Sequence, residues 1–176
     1  WKYKNYYNQV NYKSKVKLAN LLSRESFLEK YIYISTPEIF GSQKNITEKT
    51  KKFNPSTPYA NSKLNAEKLF INMNKKKKFP IIICRFSNFY GPGQPIYRLI
   101  PKACISADKN QIFPLHGDGS TKRNFIFTDD FCDGIFKTIK KGKIGDIYHF
   151  SGNEIASIKE IVQKIYKIKK KEFKRF

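Results

Sequence analysis

Apolar positions in this chain fall into two spacings, and their alternation predicts the order of elements. Val10, Leu18, Leu21, Leu22 and Leu28 recur at roughly one-turn intervals, which predicts an amphipathic helix over 6–30. The run 31–35 that follows is short, apolar and strand-sized. Residues 35–58 are rich in Gly, Ser, Thr, Asn and Pro and read as loop. Thr57 then offers a helix cap and Pro58 a first-turn residue, so a second helix is predicted over 58–73. The lysines at 75–78 suit an exposed turn before a second apolar strand over 79–86. Beyond it come a glycine-proline loop at 90–95, a helix over 96–108, a short strand near Ile112 and a turn over 116–120. The last third reads as strand 124–127, helix 129–140, strand 146–150 and helix 157–168.

Helices alternating with short apolar strands predict an α/β fold on a parallel sheet, which places ligands beyond the carboxyl ends of the strands. Ser35-Thr36-Pro37-Glu38 leaves the first strand, and Ser87-Asn88-Phe89-Tyr90-Gly91-Pro92 leaves the second, so the polar motifs stand where such a fold wants them. No internal repeat and no linker between independent domains is visible.

At 176 residues and 40% hydrophobic content, the chain can bury one sizeable core and is not of disordered composition. Its longest apolar run, near 79–84, is too short to span a bilayer, and it opens on Trp1 without a secretory signal. A soluble, cytoplasmic protein is expected. Cys84, Cys104 and Cys132 are odd in number and widely spaced, which argues for buried thiols rather than disulfides or zinc, and no metal site is expected.

A net charge of +21 would attract phosphate backbones. Of the 35 basic residues, however, only Arg24, Arg85, Arg98, Arg123 and Arg175 bring the planar fork that reads phosphates and guanines. Lysine here keeps company with Asn, Ile, Tyr and Phe, all with AT-rich codons, so base bias explains the composition. The runs at 75–78 and 167–174 are then solvated surface, and a basic module that binds nucleic acid is the weaker reading.

Tyr59 and Lys63 fall one turn apart on one face at the start of the second helix. An adjacent cation favours phenolate over phenol and draws down a pKa that is about 10 in free tyrosine. The pair is therefore a device for taking a proton from an alcohol. Tyr166 and Lys170 repeat the spacing in a basic tail, so the pattern alone does not discriminate, and the surroundings must.

Those surroundings are five motifs in order: Tyr-Ile-Ser-Thr-Pro-Glu-Ile-Phe-Gly (33–41), Pro-Ser-Thr-Pro-Tyr-Ala-Asn-Ser-Lys (55–63), Arg-Phe-Ser-Asn-Phe-Tyr-Gly-Pro-Gly-Gln (85–94), Leu-Ile-Pro (99–101) and Gly-Asp-Gly-Ser-Thr-Lys-Arg-Asn-Phe (117–125). Together they resemble the extended short-chain dehydrogenase/reductases of the NAD-dependent epimerase/dehydratase family, nearest the dTDP-glucose 4,6-dehydratase group of that family. The resemblance implies a partial Rossmann-type, doubly wound parallel sheet with part of a smaller C-terminal substrate-binding region. On that basis residues 1–95 would carry the end of the NAD-binding domain, and 96–176 mainly the nucleotide-sugar region, interleaved with it.

The resemblance also implies roles. Tyr59 would take the proton of the sugar 4-hydroxyl as hydride leaves C4 for NAD, with Lys63 holding the nicotinamide ribose and depressing the tyrosine pKa. Thr36 would hydrogen-bond the same hydroxyl, and Glu38 would remove the C5 proton before water leaves C6 and hydride returns there. Ser35 and Ser87 would join Tyr59 and Lys63 around the cofactor. Asn88 and Arg123 would hold the diphosphate, with Arg98 and Asn153 as further substrate contacts. His116 lies in a loop that the family runs past the base, and His149, inside a strand, reads as structural. A homodimer through the helices at 6–30 and 58–73 is implied as well. Alternatives on the same site are a nucleotide-sugar 4-epimerase and a UDP-glucuronate decarboxylase, although an epimerase has no use for a C5 base such as Glu38.

Two positions depart from the family pattern. Pro37 occupies the place of an aspartate that protonates the leaving 6-hydroxyl, and proline donates nothing. The glycine-rich turn that approaches the dinucleotide pyrophosphate belongs upstream of a segment like 1–30 and does not occur within these residues. The sequence thus reads as the downstream part of a longer enzyme, expected to bind NAD poorly as it stands.

Overall fold

The computed structural model describes residues 3–43 and 45–173, so Trp1 and the end of the basic tail, Lys174 and Arg175, lie outside the described residues. The chain divides into two compact units, one made of Trp1–Phe86 and Asp133–Phe150, the other of Ser87–Cys132 and Ser151–Phe176.

In the first unit β1 (Tyr31–Ser35), β2 (Ile81–Phe86) and β5 (Ile147–Phe150) form a parallel sheet in the order β1-β2-β5. Tyr33 pairs with Ile83, and Cys84 with Tyr148. Every residue of β2 is buried, as befits the central strand of a parallel sheet covered on both faces. The crossover from β1 to β2 is helix α3 (Pro58–Lys77). Its Ala66, Phe70 and Met73 pack with Tyr33, Phe79, Ile81 and Ile83, the Phe70 ring lying 4.9 Å from that of Tyr33. Each such large apolar side chain contributes roughly 1.5–3 kcal/mol on burial.

The α/β class and the parallel sheet agree with the sequence pattern, but several boundaries move. The helical segment expected over 6–30 is α1 (Lys4–Asn8), a π-helical turn (Gln9–Lys13) and α2 (Ser14–Leu22) in succession. It stops at Leu22, where the Ser23 hydroxyl donates to the Asn20 carbonyl. Leu28 reaches the core from irregular chain, so tertiary burial produced a spacing that resembled helix. In contrast, α3 runs past Met73, and Lys75, Lys76 and Lys77 form its last turn rather than a loop. Cations there oppose the carbonyl end of the helix dipole. Lys78 closes the helix in the left-handed region (φ 55°).

The second unit contains β3 (Asn88–Tyr90), α4 (Leu99–Asp108), β4 (Lys122–Phe127), β6 (Ile155–Ser157) and α6 (Ile158–Ile168). β3 runs parallel to β4, whereas β6 is antiparallel to it, a mixed sheet that the pattern did not predict. Three-residue strands are too short to show a period. Helix α4 starts at Leu99 rather than 96, and the strand expected near Ile112 is a single bridge at Phe113. Ala103, Ala107, Phe113, Val162 and Tyr166 form this unit's core. Helix α5 (Thr128–Lys141) precedes β5 in sequence.

No helix among the described residues is long and apolar enough to cross a membrane. The cysteines differ from expectation: Cys84 is buried, Cys104 intermediate and Cys132 exposed. Only Cys84 lies in a central strand, where its thiol donates to the Thr138 hydroxyl across 3.7 Å. Among the described residues no cluster of His, Cys, Asp and Glu is arranged to hold a metal ion.

Candidate active site

At the carboxyl end of β1 the chain turns sharply, and local chemistry fixes the turn. Thr36 is extended, and its hydroxyl oxygen accepts the Glu38 amide at 3.3 Å, capping a single 3₁₀ turn (Pro37–Phe40). The first position of such a turn has no use for an amide donor, so Pro37 fits there on structural grounds. Ile39 and Phe40 are fully buried while Glu38 between them and Pro37 stays exposed, so the carboxylate rides on an anchored segment. Gly41 ends the turn at φ 65°, and a Cβ there would stand 2.4 Å from the Asn54 carbonyl oxygen. Only glycine fits both restrictions.

Helix α3 packs beside this turn and is capped by Thr57, which accepts the Ala60 amide at 3.0 Å. Tyr59 in its first turn is half-buried and meets the Tyr7 ring edge-on at 5.7 Å. Ser62 donates to the Tyr59 carbonyl (2.7 Å) and accepts from the Asn11 amide (3.1 Å), which ties the π-helical turn to this end of α3. Lys63 Nζ donates to the Ile34 carbonyl at 3.0 Å and lies 5.2 Å from the Tyr33 ring and 5.9 Å from that of Tyr59. Burial lowers the Lys63 pKa, Lys15 pushes in the same direction, and Glu67 opposes. Burial also drives the Tyr33 phenol far upward, so Tyr33 stays neutral.

The Tyr33 and Ser35 hydroxyls are buried and have no hydrogen-bond partner in the protein. Buried polar atoms are ordinarily satisfied, and an ordered water or a ligand group can satisfy such an orphan. Ser35, Thr36, Tyr59 and Lys63 thus cluster at one end of the sheet, with polar groups to spare. Tyr166 and Lys170 have no such setting. Tyr166 is 1% exposed within the second unit's core, and its hydroxyl donates to the Gln111 carbonyl at 2.7 Å.

Behind Lys63 lies a charge cluster that sequence reading missed. Glu67, one turn further along α3, is fully buried against Arg85 of β2, which is 2% exposed. Arg85 Nη2 and Nε donate to the Glu67 carboxylate at 2.6 and 3.0 Å, and Nη1 lies 3.0 Å from His149 Nε2. The Arg85 guanidinium also faces the rings of Phe40 (4.9 Å) and Phe53 (5.8 Å). The available signal was an arginine within an otherwise apolar strand, since a buried charge requires a partner. His149 lies in β5 with its Nε2 facing a guanidinium donor, so that nitrogen must accept.

That arrangement makes a pH prediction. Burial first, and Arg85 second, hold the His149 pKa below 6.5, against the carboxylates of Glu48 and Glu67. The folded state therefore binds fewer protons than the unfolded chain, and stability present above the ordinary pKa of about 6.5 is lost as pH falls below it. The urea midpoint is expected to drop between pH 7.5 and 5.5, with His149→Gln, which still accepts from Arg85, dropping less. An equal drop in both proteins would refute the assignment.

The remaining predicted residues all belong to the second unit. Ser87 is buried with an unpartnered hydroxyl. Asn88 is exposed on β3 opposite Phe125. Arg98 is the exposed N-cap of α4, its guanidinium 5.7 Å from the Tyr97 ring. Arg123 is exposed on β4, with Nη1 donating to the Lys122 carbonyl at 3.1 Å. Asn153 is exposed and bracketed by Asn124, whose side-chain amide donates to the Gly152 (2.7 Å) and Glu154 (2.8 Å) carbonyls. Asn124 also accepts the Gly152 amide at 2.9 Å, so it fixes the Asn153 segment beside β4, a role the sequence did not suggest. Asn124 thus holds the Asn153 segment beside β4, next in sequence to Arg123, while Asn88 and Arg98 stand on other elements of the unit. His116 is exposed in the turn before β4.

Comparison with known proteins matches this arrangement to a family. The chain is 34% identical over 148 residues to dTDP-D-glucose 4,6-dehydratase of Homo sapiens, covering 83% of this chain and 42% of that sequence. It is 30% identical over 145 residues to dTDP-glucose 4,6-dehydratase of Neisseria gonorrhoeae, covering 81% and 41%. Its structure resembles that of dTDP-glucose 4,6-dehydratase from Bacillus anthracis in complex with NAD, with a TM-score of 0.88 at 30% identity over 94% of this chain and 53% of that one. UDP-glucuronic acid 4-epimerase from Bacillus cereus in complex with UDP-glucuronic acid and NAD is also similar, with a TM-score of 0.87 at 27% identity and the same coverage of 94% and 53%. The chain spans about half the length of the relatives it matches. Residues 1–150 match the family model described as NAD dependent epimerase/dehydratase family, and the chain belongs to that family.

Proposed function

We propose that this chain carries the catalytic half-site of an NAD-dependent nucleotide-sugar 4,6-dehydratase, a cytoplasmic lyase of carbohydrate biosynthesis that works as a homodimer. The observation that carries the reading is Glu38, held exposed on an anchored turn in the same unit as the Tyr59 and Lys63 pair. One group that accepts an alcohol proton and a second base in reserve suit a reaction with two deprotonations. Likeness to the dehydratases of Homo sapiens and Bacillus anthracis supports it.

On this reading, NAD when bound accepts hydride from C4 of the sugar and later returns it to C6. Ser35, Tyr59 and Lys63 of the first unit would hold its nicotinamide end, and the unpartnered Ser35 hydroxyl fits that use. Tyr59 takes the 4-hydroxyl proton. Lys63 stabilises the phenolate by its charge, and its other N–H groups remain for the ribose. Thr36 spends a lone pair on the Glu38 amide and keeps its own proton to donate to the same sugar oxygen. Glu38 removes the C5 proton once C4 is a ketone. Pro37 donates nothing, so the proton that leaves with O6 as water is the one Glu38 took from C5; C5 regains a proton as hydride returns to C6, which balances the 4-hydroxyl proton that Tyr59 accepted and gives up. Asn88, Arg98, Arg123 and Asn153 of the second unit bind the nucleotide sugar, Arg123 as the fork for phosphate oxygens.

The test is single-turnover absorbance of reduced cofactor, with product mass spectrometry, in the full-length protein supplied with dTDP-glucose, UDP-glucose and GDP-mannose. Glu38→Gln is expected to leave hydride transfer from C4 intact while C5 exchange with deuterated solvent and the 4-keto-6-deoxy product fall by on the order of 10²-fold or more. Full dehydratase turnover in that variant would refute the role of Glu38, and clean 4-epimerisation by the parent protein would move the function to the epimerase class.

A further inference from the structure

Arg85 touches every element on which the proposed reaction depends in the first unit. Its guanidinium has an edge of donors and two faces, and both kinds of surface are used. The edge meets Glu67 on α3 (2.6, 3.0 and 3.2 Å) and His149 on β5 (3.0 Å). A face meets Phe40, 4.9 Å away in the 3₁₀ turn, and Phe53, 5.8 Å away in the loop that follows. Glu67 lies on the same face of α3 as Lys63 and Tyr59, one and two turns along. Phe40 is two residues from Glu38 in the same turn. A second tie runs alongside, from the His149 amide to the Glu48 carboxylate at 3.2 Å.

We propose that Arg85 is a positioning residue, locking the turn that bears Glu38 and the helix that bears Tyr59 and Lys63 into one cooperative unit. The proposal rests on the roles given above to those three residues. Its physical reason is geometric. The two bases would act on the 4-hydroxyl and on the adjacent C5 of one sugar, so their separation must be held closely, and an error of 1 Å costs on the order of 10²-fold in rate. A guanidinium can hold a carboxylate by its edge and aromatic rings by its face at once. A lysine ammonium offers no plane and cannot do both. Full burial of Arg85 and Glu67 excludes competing water, so the tie is stiff.

Native-state hydrogen exchange in the full-length protein over a series of denaturant concentrations tests it. The Gly41 and Asn54 amides, bonded to the Glu38 and Ile39 carbonyls, report the turn, and the Ala60 and Asn61 amides report the start of α3. In the parent protein the four are expected to converge on one opening isotherm. In Arg85→Lys, which keeps the charge, Gly41 and Asn54 are expected to exchange about ten-fold faster relative to Ala60 and Asn61. Steady-state turnover of the same variant should lose on the order of 10²-fold in kcat with KM nearly unchanged. A purely structural role predicts one uniform loss of protection instead. Should the lysine variant fail to fold, the double variant Arg85→Met with Glu67→Leu replaces the pair by apolar side chains and is expected to show the same split in exchange and in kcat. Separate isotherms in the parent protein, or unchanged relative protection and kcat in the folded variants, would overturn the proposal. Absence of turnover in the parent protein would count against the dehydratase reading alone, because the exchange result is read without substrate.

Discussion

Tyr59→Phe in the full-length protein is expected to abolish formation of reduced cofactor from every nucleotide sugar, a loss on the order of 10²–10⁴-fold. The substitution removes one oxygen and keeps the ring that packs edge-on against Tyr7. The first turn of α3 keeps its cap, because Thr57 and Ala60 make that bond without Tyr59. The ring packing and the helix cap are therefore kept while the phenol oxygen is lost. Tyr166→Phe is the control, since that hydroxyl serves the Gln111 carbonyl in the second unit's core. It is expected to cost some stability and to leave hydride transfer at the parent rate. Stopped-flow absorbance of the reduced nicotinamide separates the two. Equal rates in Tyr59→Phe and the parent protein would refute Tyr59 as the base.

Glu67→Leu is expected to lower stability by about 3–5 kcal/mol, the largest single stability loss in the chain. The carboxylate and its Arg85 partner are each 1% exposed in their side chains. Removing one partner leaves a guanidinium buried with His149 and two aromatic rings. The exposed Glu48 carboxylate is then the charge left to act on it, through space and not by a buried bond. Adding Arg85→Met to Glu67→Leu removes the orphaned charge and should recover most of the loss, because well-packed apolar side chains replace a buried ion pair at little cost. Urea unfolding of the three proteins measures this. A loss below about 1 kcal/mol in Glu67→Leu would show that the pair is solvated and not the buried bond described here.

Particular residues show what could be read before folding. Thr57 and Pro58 predicted the start of α3, and the helix begins there because the cap and the proline act within one turn. The strand at 31–35 matched to the residue because four apolar residues run into Ser35 and a polar turn. Ser157 and Glu160 likewise mark a helix start locally, and they form a reciprocal capping box at α6. Boundaries failed where burial imitated a period, as at Leu28, or where lysines suggested loop but served a helix end, as at 75–77. Pro37, which departs from the family pattern, suits the first position of a 3₁₀ turn, a fit visible only once that turn is seen.

Interactions within about four residues were thus encoded in spacing: the caps, the one-face placement of Tyr59 with Lys63, and the order of helices and strands. The neighbouring motifs already set Tyr59 apart from Tyr166, and folding supplied the physical reason, since one stands half-buried at the end of the parallel sheet and the other is sealed in a core. It also decided that β6 lies antiparallel to β4, and that Asn124 clasps the segment around Asn153. Arg85 is the fullest case. Its partners Phe40, Glu67 and His149 come from three distant stretches of chain and meet only when β1, β2 and β5 take their register and α3 crosses over them. Which partner a buried charge finds is a property of sheet register and helix docking, and no local pattern carries it.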